Sequence, residues 1–209
     1  MKEEIINFWK VTTSLMENLP RTNNSMLENV EYFERMNEML EEIHPSLGAM
    51  IQSRPDTETT ILTITVEGDP DAYWYVPIIA EDAPVIEGLI IQVLFSPMDR
   101  EDLLRDQPFI LDDLRIQMNH IEFIFIRNLD GTKKGFLILR FPEFQYLKDH
   151  PYLYQALHFI TLNIIGEHLF HQYIDTIYPD GELEGFEDFT FVHVSEMHCY
   201  FDCIIELED

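Results

Sequence analysis

Glu167, His168 and His171 come nearest, by type and spacing, to a reactive centre. Glu167 and His171 stand four apart, so a helix would carry both on one face. A metal ion needs two or three such donors held at fixed spacing. His168 and His171 are three apart, however, so the arrangement of two histidines four apart around a glutamate is missing. His193, His198 and Cys199 are donors that folding could add. The competing reading is a helix C-terminal turn, where the macrodipole favours histidine. That reading is the stronger, so no metal or cofactor is expected. A small metal-dependent enzyme using Glu167, His168 and His171 remains the alternative.

Nucleophilic chemistry would fall to Cys199 or Cys203 with His198 or His193. A thiolate needs an electropositive, partly exposed setting. The 61 residues from Asp149 to Asp209 hold 13 acids and no Lys or Arg, which works against one. The spacing of four also differs from a redox or zinc pair, so the two thiols are expected to be buried and reduced. Only eight glycines occur and none form Gly-x-Gly, so a phosphate-binding loop is not expected. No Gly-x-Ser-x-Gly elbow is present. Paired carboxylates such as Asp112-Asp113 and Glu187-Asp188 are what a chain with 39 acids places in solvent. No catalytic residue is assigned.

Recognition chemistry is better represented. Tyr73-Trp74-Tyr75 is an aromatic cluster outside a regular core pattern, following Gly68-Asp69-Pro70-Asp71. One reading places Trp74 in the core with the tyrosines over it. The other makes the three residues interface anchors, because such rings order a large area at low entropic cost. A second candidate surface is the acidic loop from Asp180 to Asp188, where Glu184, Phe186, Glu187 and Asp188 interleave acid with an aromatic ring.

The charge balance sets the class of partner. Asp and Glu total 39 against 13 Lys and Arg, a formal net charge of −26. Such a field repels nucleic acid phosphates and anionic lipid and favours a basic protein. Solubility alone is the plainer explanation. The N-terminal residues carry acids where a signal peptide needs bases and a long apolar run, and the apolar runs are too short to span a bilayer. A cytoplasmic location is expected.

The elements that would position these residues emerge from periodicity. Residues 3–19 and 25–43 read as amphipathic helices, the second with Ser25 and Glu28 as a capping box. Strands are expected at 47–52, 60–66 and 89–95, with Thr alternation leaving one face of the second less buried. Residues 71–82 read as helical with Pro77 in the first turn. Residues 98–106 form a short charged connection, 109–111 an edge strand, and Asp112-Asp113 the cap of a helical turn through Met118. Residues 121–127 and 135–141 are apolar at nearly every position and flank an Asp-Gly step. They predict a hairpin covered on both faces. A long helix comes next over 151–170, then an extended stretch, a strand at 189–194 and a terminal helix capped by Ser195.

This order predicts an α+β fold. A mostly antiparallel central sheet would carry two N-terminal helices, one long helix after the hairpin and a C-terminal helix. A single compact domain is expected, with residues 96–107 as the softest stretch.

Phe8-Trp9, Ile43-His44-Pro45-x-Leu47, the stretches 61–68 and 77–84, Gly88 opening a strand that closes on Pro97, Gly166-Glu167 and residues 175–177 follow one another along the chain. In these features the chain resembles a family of uncharacterised bacterial proteins that open with a Phe-Trp helix. The resemblance implies one compact α+β unit in a bacterial cytoplasm and brings no activity with it. The leading expectation is a non-enzymatic acidic interaction protein of immunity-like type, neutralising a basic protein partner.

Overall fold

The computed structural model describes residues 1–18, 30–54, 59–180 and 189–208. The Ser25–Glu28 capping box, the turn after Arg54 and residues Glu184, Phe186, Glu187 and Asp188 lie outside them. The fold is α+β, with mostly antiparallel pairing, and the described strands belong to three sheets. Contacts divide the chain into two compact units, Met1–Phe95 and Ser96–Asp209.

The first unit opens with helices α1 (Lys2–Asn18) and α2 (Val30–Ile43), which pack on each other. Strands β1 (Gly48–Arg54) and β2 (Thr59–Thr65) pair antiparallel, Gly48 opposite Thr65. Helix α3 (Tyr75–Glu81) then crosses over to β3 (Leu89–Val93), which pairs parallel with β2. Residues Ile5, Phe8, Met36, Leu40, Leu62, Ile64, Val76 and Ile79 join in one core. Thr alternation does not leave one face of β2 less buried than the other, because Ile61, Leu62, Thr63 and Ile64 are all buried. The threonine methyl lets this residue type serve a covered central strand.

Two side chains tie the helices of this unit to backbone that would otherwise lack partners. The Asn37 amide oxygen of α2 accepts from the Ala49 amide of β1 at 2.7 Å. The buried Trp9 indole N–H of α1 donates to the Ile79 carbonyl of α3 at 2.7 Å. That carbonyl lies in the last turn of α3, where helix geometry leaves oxygens without an intrahelical donor. Phe8 packs edge-on against Trp9 at 4.8 Å, so one ring fills the core and its neighbour fixes a second helix.

The second unit begins with the single turn α4 (Arg100–Leu103). The helical turn expected after Asp112-Asp113 is instead strand. β4 (Pro108–Leu111) and β5 (Leu114–Gln117) form a hairpin, with Asp112 at φ 57° in the turn. Aspartate tolerates this left-handed conformation better than most residues. Leu114 and Ile116 are buried while Arg115 is exposed, which is strand alternation.

Strands β6 (Glu122–Arg127) and β7 (Gly135–Arg140) form the hairpin that the apolar run predicts, Glu122 opposite Arg140. After the turn α5 (Phe144–Leu147) comes α6 (Leu153–Tyr173), then β8 (Ile174–Pro179), which pairs parallel with β7. Strand β9 (Val192–His193) adds to the far side of β6 and leads through a short 3₁₀ turn into α7 (Met197–Glu208). The sheet order is β8-β7-β6-β9. Phe125 meets Phe201 of α7 at 5.1 Å, Phe123 meets Tyr200 at 5.5 Å, and Tyr173 of α6 meets Phe201 at 5.5 Å.

Ser195 lies inside the 3₁₀ turn Val194–Glu196 and does not cap the terminal helix. His193 caps that turn, its Nδ1 accepting from the Ser195 amide at 3.2 Å, while its Nε2 donates to the Asn119 carbonyl at 2.9 Å. One ring therefore ends a strand, starts a helical segment and holds the turn before β6.

The two glycines of the β6–β7 hairpin do different work. Gly131, at φ +85°, stands in open space. At Gly135 a Cβ would lie 2.3 Å from the Ile126 carbonyl and 2.8 Å from Arg127 Cα. Here the register of β7 on β8 also shifts. Gly131→Ala is expected to cost about 1 kcal/mol through its backbone conformation. Gly135→Ala is expected to cost about 3 kcal/mol, because backbone must move. Urea unfolding of the two variants tests this, and equal losses would contradict the packing.

Candidate functional site

The aromatic cluster Tyr73-Trp74-Tyr75 is placed by the turn before it. Asp69 Oδ1 accepts from the Asp71 amide at 2.9 Å and its Oδ2 from the Ser46 hydroxyl at 2.6 Å. The Ser46 bond, then the Asp71 amide and the charge of His44, hold the Asp69 carboxyl below its ordinary range. The turn over Pro70–Ala72 then sets the phase of the residues leading into α3. Ala72, Val76 and Ile79 fall inward and are buried. Trp74, between the first two, must point outward.

Trp74 is therefore not core: it is 62% exposed, whereas Trp9 is 4% exposed. Tyr73 and Tyr75 are half-buried and pack against the core. Tyr75 lies tilted over the His44 ring at 5.0 Å. Met1, Asp71, Trp74, Tyr75 and Ile78 line one open depression of about 350 Å³. Its floor and walls are mostly apolar, and a carboxylate stands among them. Residues 1–95 hold 17 acids against 5 bases, so an approaching group meets a negative field.

Ser46, His44 and Asp69 share this neighbourhood, but their bonds are those of a brace. The Ser46 hydroxyl donates to Asp69, and His44 Nδ1 accepts from the Ser46 amide at 3.3 Å. A nucleophile would need its hydroxyl proton directed to the imidazole.

Glu167, His168 and His171 come directly after an interruption. Gly166 has φ 79° and ψ 161° inside α6, a conformation open only to glycine. His158 and Phe170 meet at 4.6 Å between ring centroids. Twelve residues of straight helix span about 18 Å, so the break turns the second limb back towards the first. Glu167 is buried at 1% exposure while His168 is exposed, so these two do not share a face. Glu167 and His171 interact electrostatically. Among the described residues no three His, Cys, Asp or Glu side chains converge as metal ligands. His158, which no sequence pattern singles out, is the residue that the turn at Gly166 adds to this corner.

The other histidines and thiols are also placed. His198 Nδ1 pairs with Asp202 Oδ2 at 3.0 Å. Both nitrogens of His193 are taken, one by the Ser195 amide and one by the Asn119 carbonyl. Cys199 and Cys203 are free and exposed rather than buried, because Met197 and Phe201 take the inward face of α7. Asp113 accepts from His150 Nε2 at 3.0 Å. A second depression, lined by Asp99, Arg100, Glu101, Asp102 and Arg105, is polar and carries its own ion pair between Arg105 and Asp102 at 2.8 Å.

No helix among the described residues is long and apolar enough to cross a membrane. No family model matches the chain, no curated protein matches it and no solved structure matches it.

The corner at Gly166 has a pH signature. Desolvation lowers the pKa of His158. Desolvation also lowers that of His171, opposed by Glu167 and reinforced by His158 and Lys134. In the unfolded chain both titrate near about 6.5. Just below that pH the unfolded state binds more protons, so the stability is full above it and is lost as pH falls through the folded values. The urea midpoint is expected to drop between about pH 7 and about pH 5, and less so in a His158→Gln/His171→Gln variant. A midpoint unchanged by pH, or an unaltered drop in the variant, would contradict this.

The thiols give a second measurement. Cys199 and Cys203 are both expected to react with an aromatic disulfide reagent in the folded protein. Silence until denaturant is added would place them in the core after all.

Proposed function

We propose that this protein is a non-enzymatic, cytoplasmic binding module that takes a basic protein partner, in the manner of an immunity protein neutralising a cationic target. The observation that carries this is Trp74, exposed on an apolar depression with Asp71 beside it. Large rings in such places supply most of the energy of an interface, while surrounding charges steer encounter. The net charge of −26 supports a cationic counterpart. Tyr73 and Tyr75, both half-buried, flank Trp74 in the chain, and Met1 and Ile78 extend the apolar area. A Lys or Arg side chain of the partner would lay its stem on Trp74 and its charge towards Asp71, combining ring–cation attraction with a counter-charge. The exposed thiols suit a reducing compartment.

Calorimetry with a short Lys/Arg peptide carrying one Leu, and with a small basic protein, tests the reading. Binding is expected to weaken with salt. Trp74→Ala is expected to lose about 30-fold in affinity, equivalent to ~2 kcal/mol, with an unchanged unfolding midpoint because the ring is outside the core. Equal affinity of the variant, or affinity indifferent to salt, would remove the reading.

A further inference from the structure

The tip of the β6–β7 hairpin reverses the character of the chain. Residues 127–134 hold Arg127, Lys133 and Lys134 against one acid, Asp130. The remainder of the sequence holds 38 acids against 10 bases. All three bases are exposed, and Leu129 between them is fully exposed. A lone exposed Leu is ordinary on a surface. Here it stands in the turn between β6 and β7, within a basic stretch of an acidic protein.

The turn is also held in one shape. The Asn128 amide donates to the Lys134 carbonyl at 2.9 Å, closing the ends. Asp130 Oδ1 accepts from the Thr132 amide at 2.9 Å and the Thr132 hydroxyl at 2.7 Å. Arg127 Nε donates to the Thr132 carbonyl at 3.2 Å. Gly131, at φ +85°, allows the reversal. The one acid of the tip is therefore committed to its scaffold. A preorganised tip loses little freedom on binding, so a small contact area can suffice. Lys134 also acts electrostatically on His171 of α6.

We infer that this hairpin tip is a docking point for a short acidic segment of a partner protein, with Leu129 seated on an apolar side chain of that segment and Arg127, Lys133 and Lys134 against its carboxylates. Charge complementarity selects the occupant. A nucleic acid or an anionic bilayer is an extended polyanion and would bring its charge along a body of net −26, which repels it. A short acidic segment meets the tip alone. This surface belongs to the second unit and the Trp74 depression to the first. The two are of opposite charge, and the docking point does not depend on the proposed capture of a basic protein.

The test is titration of the ¹⁵N-labelled full chain with a short Glu-rich peptide carrying one Leu, followed by amide shifts. Shifts centred on residues 127–134 that fade as salt rises are expected. A Lys133→Glu/Lys134→Glu variant should bind at least 10-fold more weakly, and Leu129→Ser several-fold more weakly, both with wild-type unfolding midpoints. Trp74→Ala should leave this binding unchanged. Absent shifts at the tip, equal binding by a Lys-rich version of the peptide, or unaltered affinity in both tip variants would overturn the inference. So would tighter binding of a single-stranded oligonucleotide or of phosphatidylserine vesicles than of the peptide.

Discussion

A strand that is dry on both faces governs each unit of this protein. In β2 four consecutive residues, Ile61 to Ile64, are buried, and in β7 Leu137, Ile138 and Leu139 are. Alternation normally leaves one face of a strand to water, so consecutive burial requires cover above and below and a paired backbone at both edges. The edges are paired, since β2 lies between β1 and β3 and β7 lies between β6 and β8. Each of these central strands has one antiparallel and one parallel neighbour. A parallel neighbour demands a crossover, which α3 supplies in the first unit and α5 with α6 in the second.

Crossovers create helix ends, and helix ends create polar groups that need partners. Several of the most specific interactions in the chain answer that need. Trp9 reaches the Ile79 carbonyl, Asp69 holds the Asp71 amide and His193 holds the Ser195 amide. Each joins segments distant in sequence or fixes where a helical turn begins. The exposed patch around Trp74 is a by-product of this bracing. Once Asp69 sets the turn and Trp9 grips α3, the phase of residues 72–79 leaves Trp74 and Ile78 no inward position. Arg140 serves a similar end in the other sheet, where its Nε meets Asp180 Oδ2 at 2.6 Å and its guanidinium lies 3.5 Å over the Phe191 ring.

How far the sequence could be read depended on how local each cause is. The β6–β7 hairpin was legible because unbroken apolar runs around Asp130-Gly131 leave few alternatives. The paired amphipathic helices were legible from the helical spacing of their apolar residues. Strand β5 was not, because Asp112-Asp113 is as good a helix cap as it is a hairpin turn. Only the left-handed backbone at Asp112 decides. Size misled at Trp74, where phase outranks hydrophobicity. Spacing misled at Cys199 and Cys203, whose inward neighbours Met197 and Phe201 claim the buried face. The break at Gly166 carries no local signal beyond one glycine in an apolar helix, yet it decides which histidines meet. Of the recognition surfaces, the aromatic triplet could be found from composition, but its exposure could not.

Strand β9 bears on how the second unit comes together. It pairs Val192 with Phe123 and His193 with Glu122, partners about seventy positions apart along the chain. Closing so long a loop is entropically costly before any contact repays it, and such pairings slow the search for the native topology. The inner strands can meet early through their tight turn. The outermost strand and α7 behind it can only arrive late, and until they do Phe123 and Phe125 lack the rings that shelter them. A nascent chain stalled short of that stage would expose a greasy sheet face. Swift completion of the final segment is thus a condition for this protein to stay clear of aggregation.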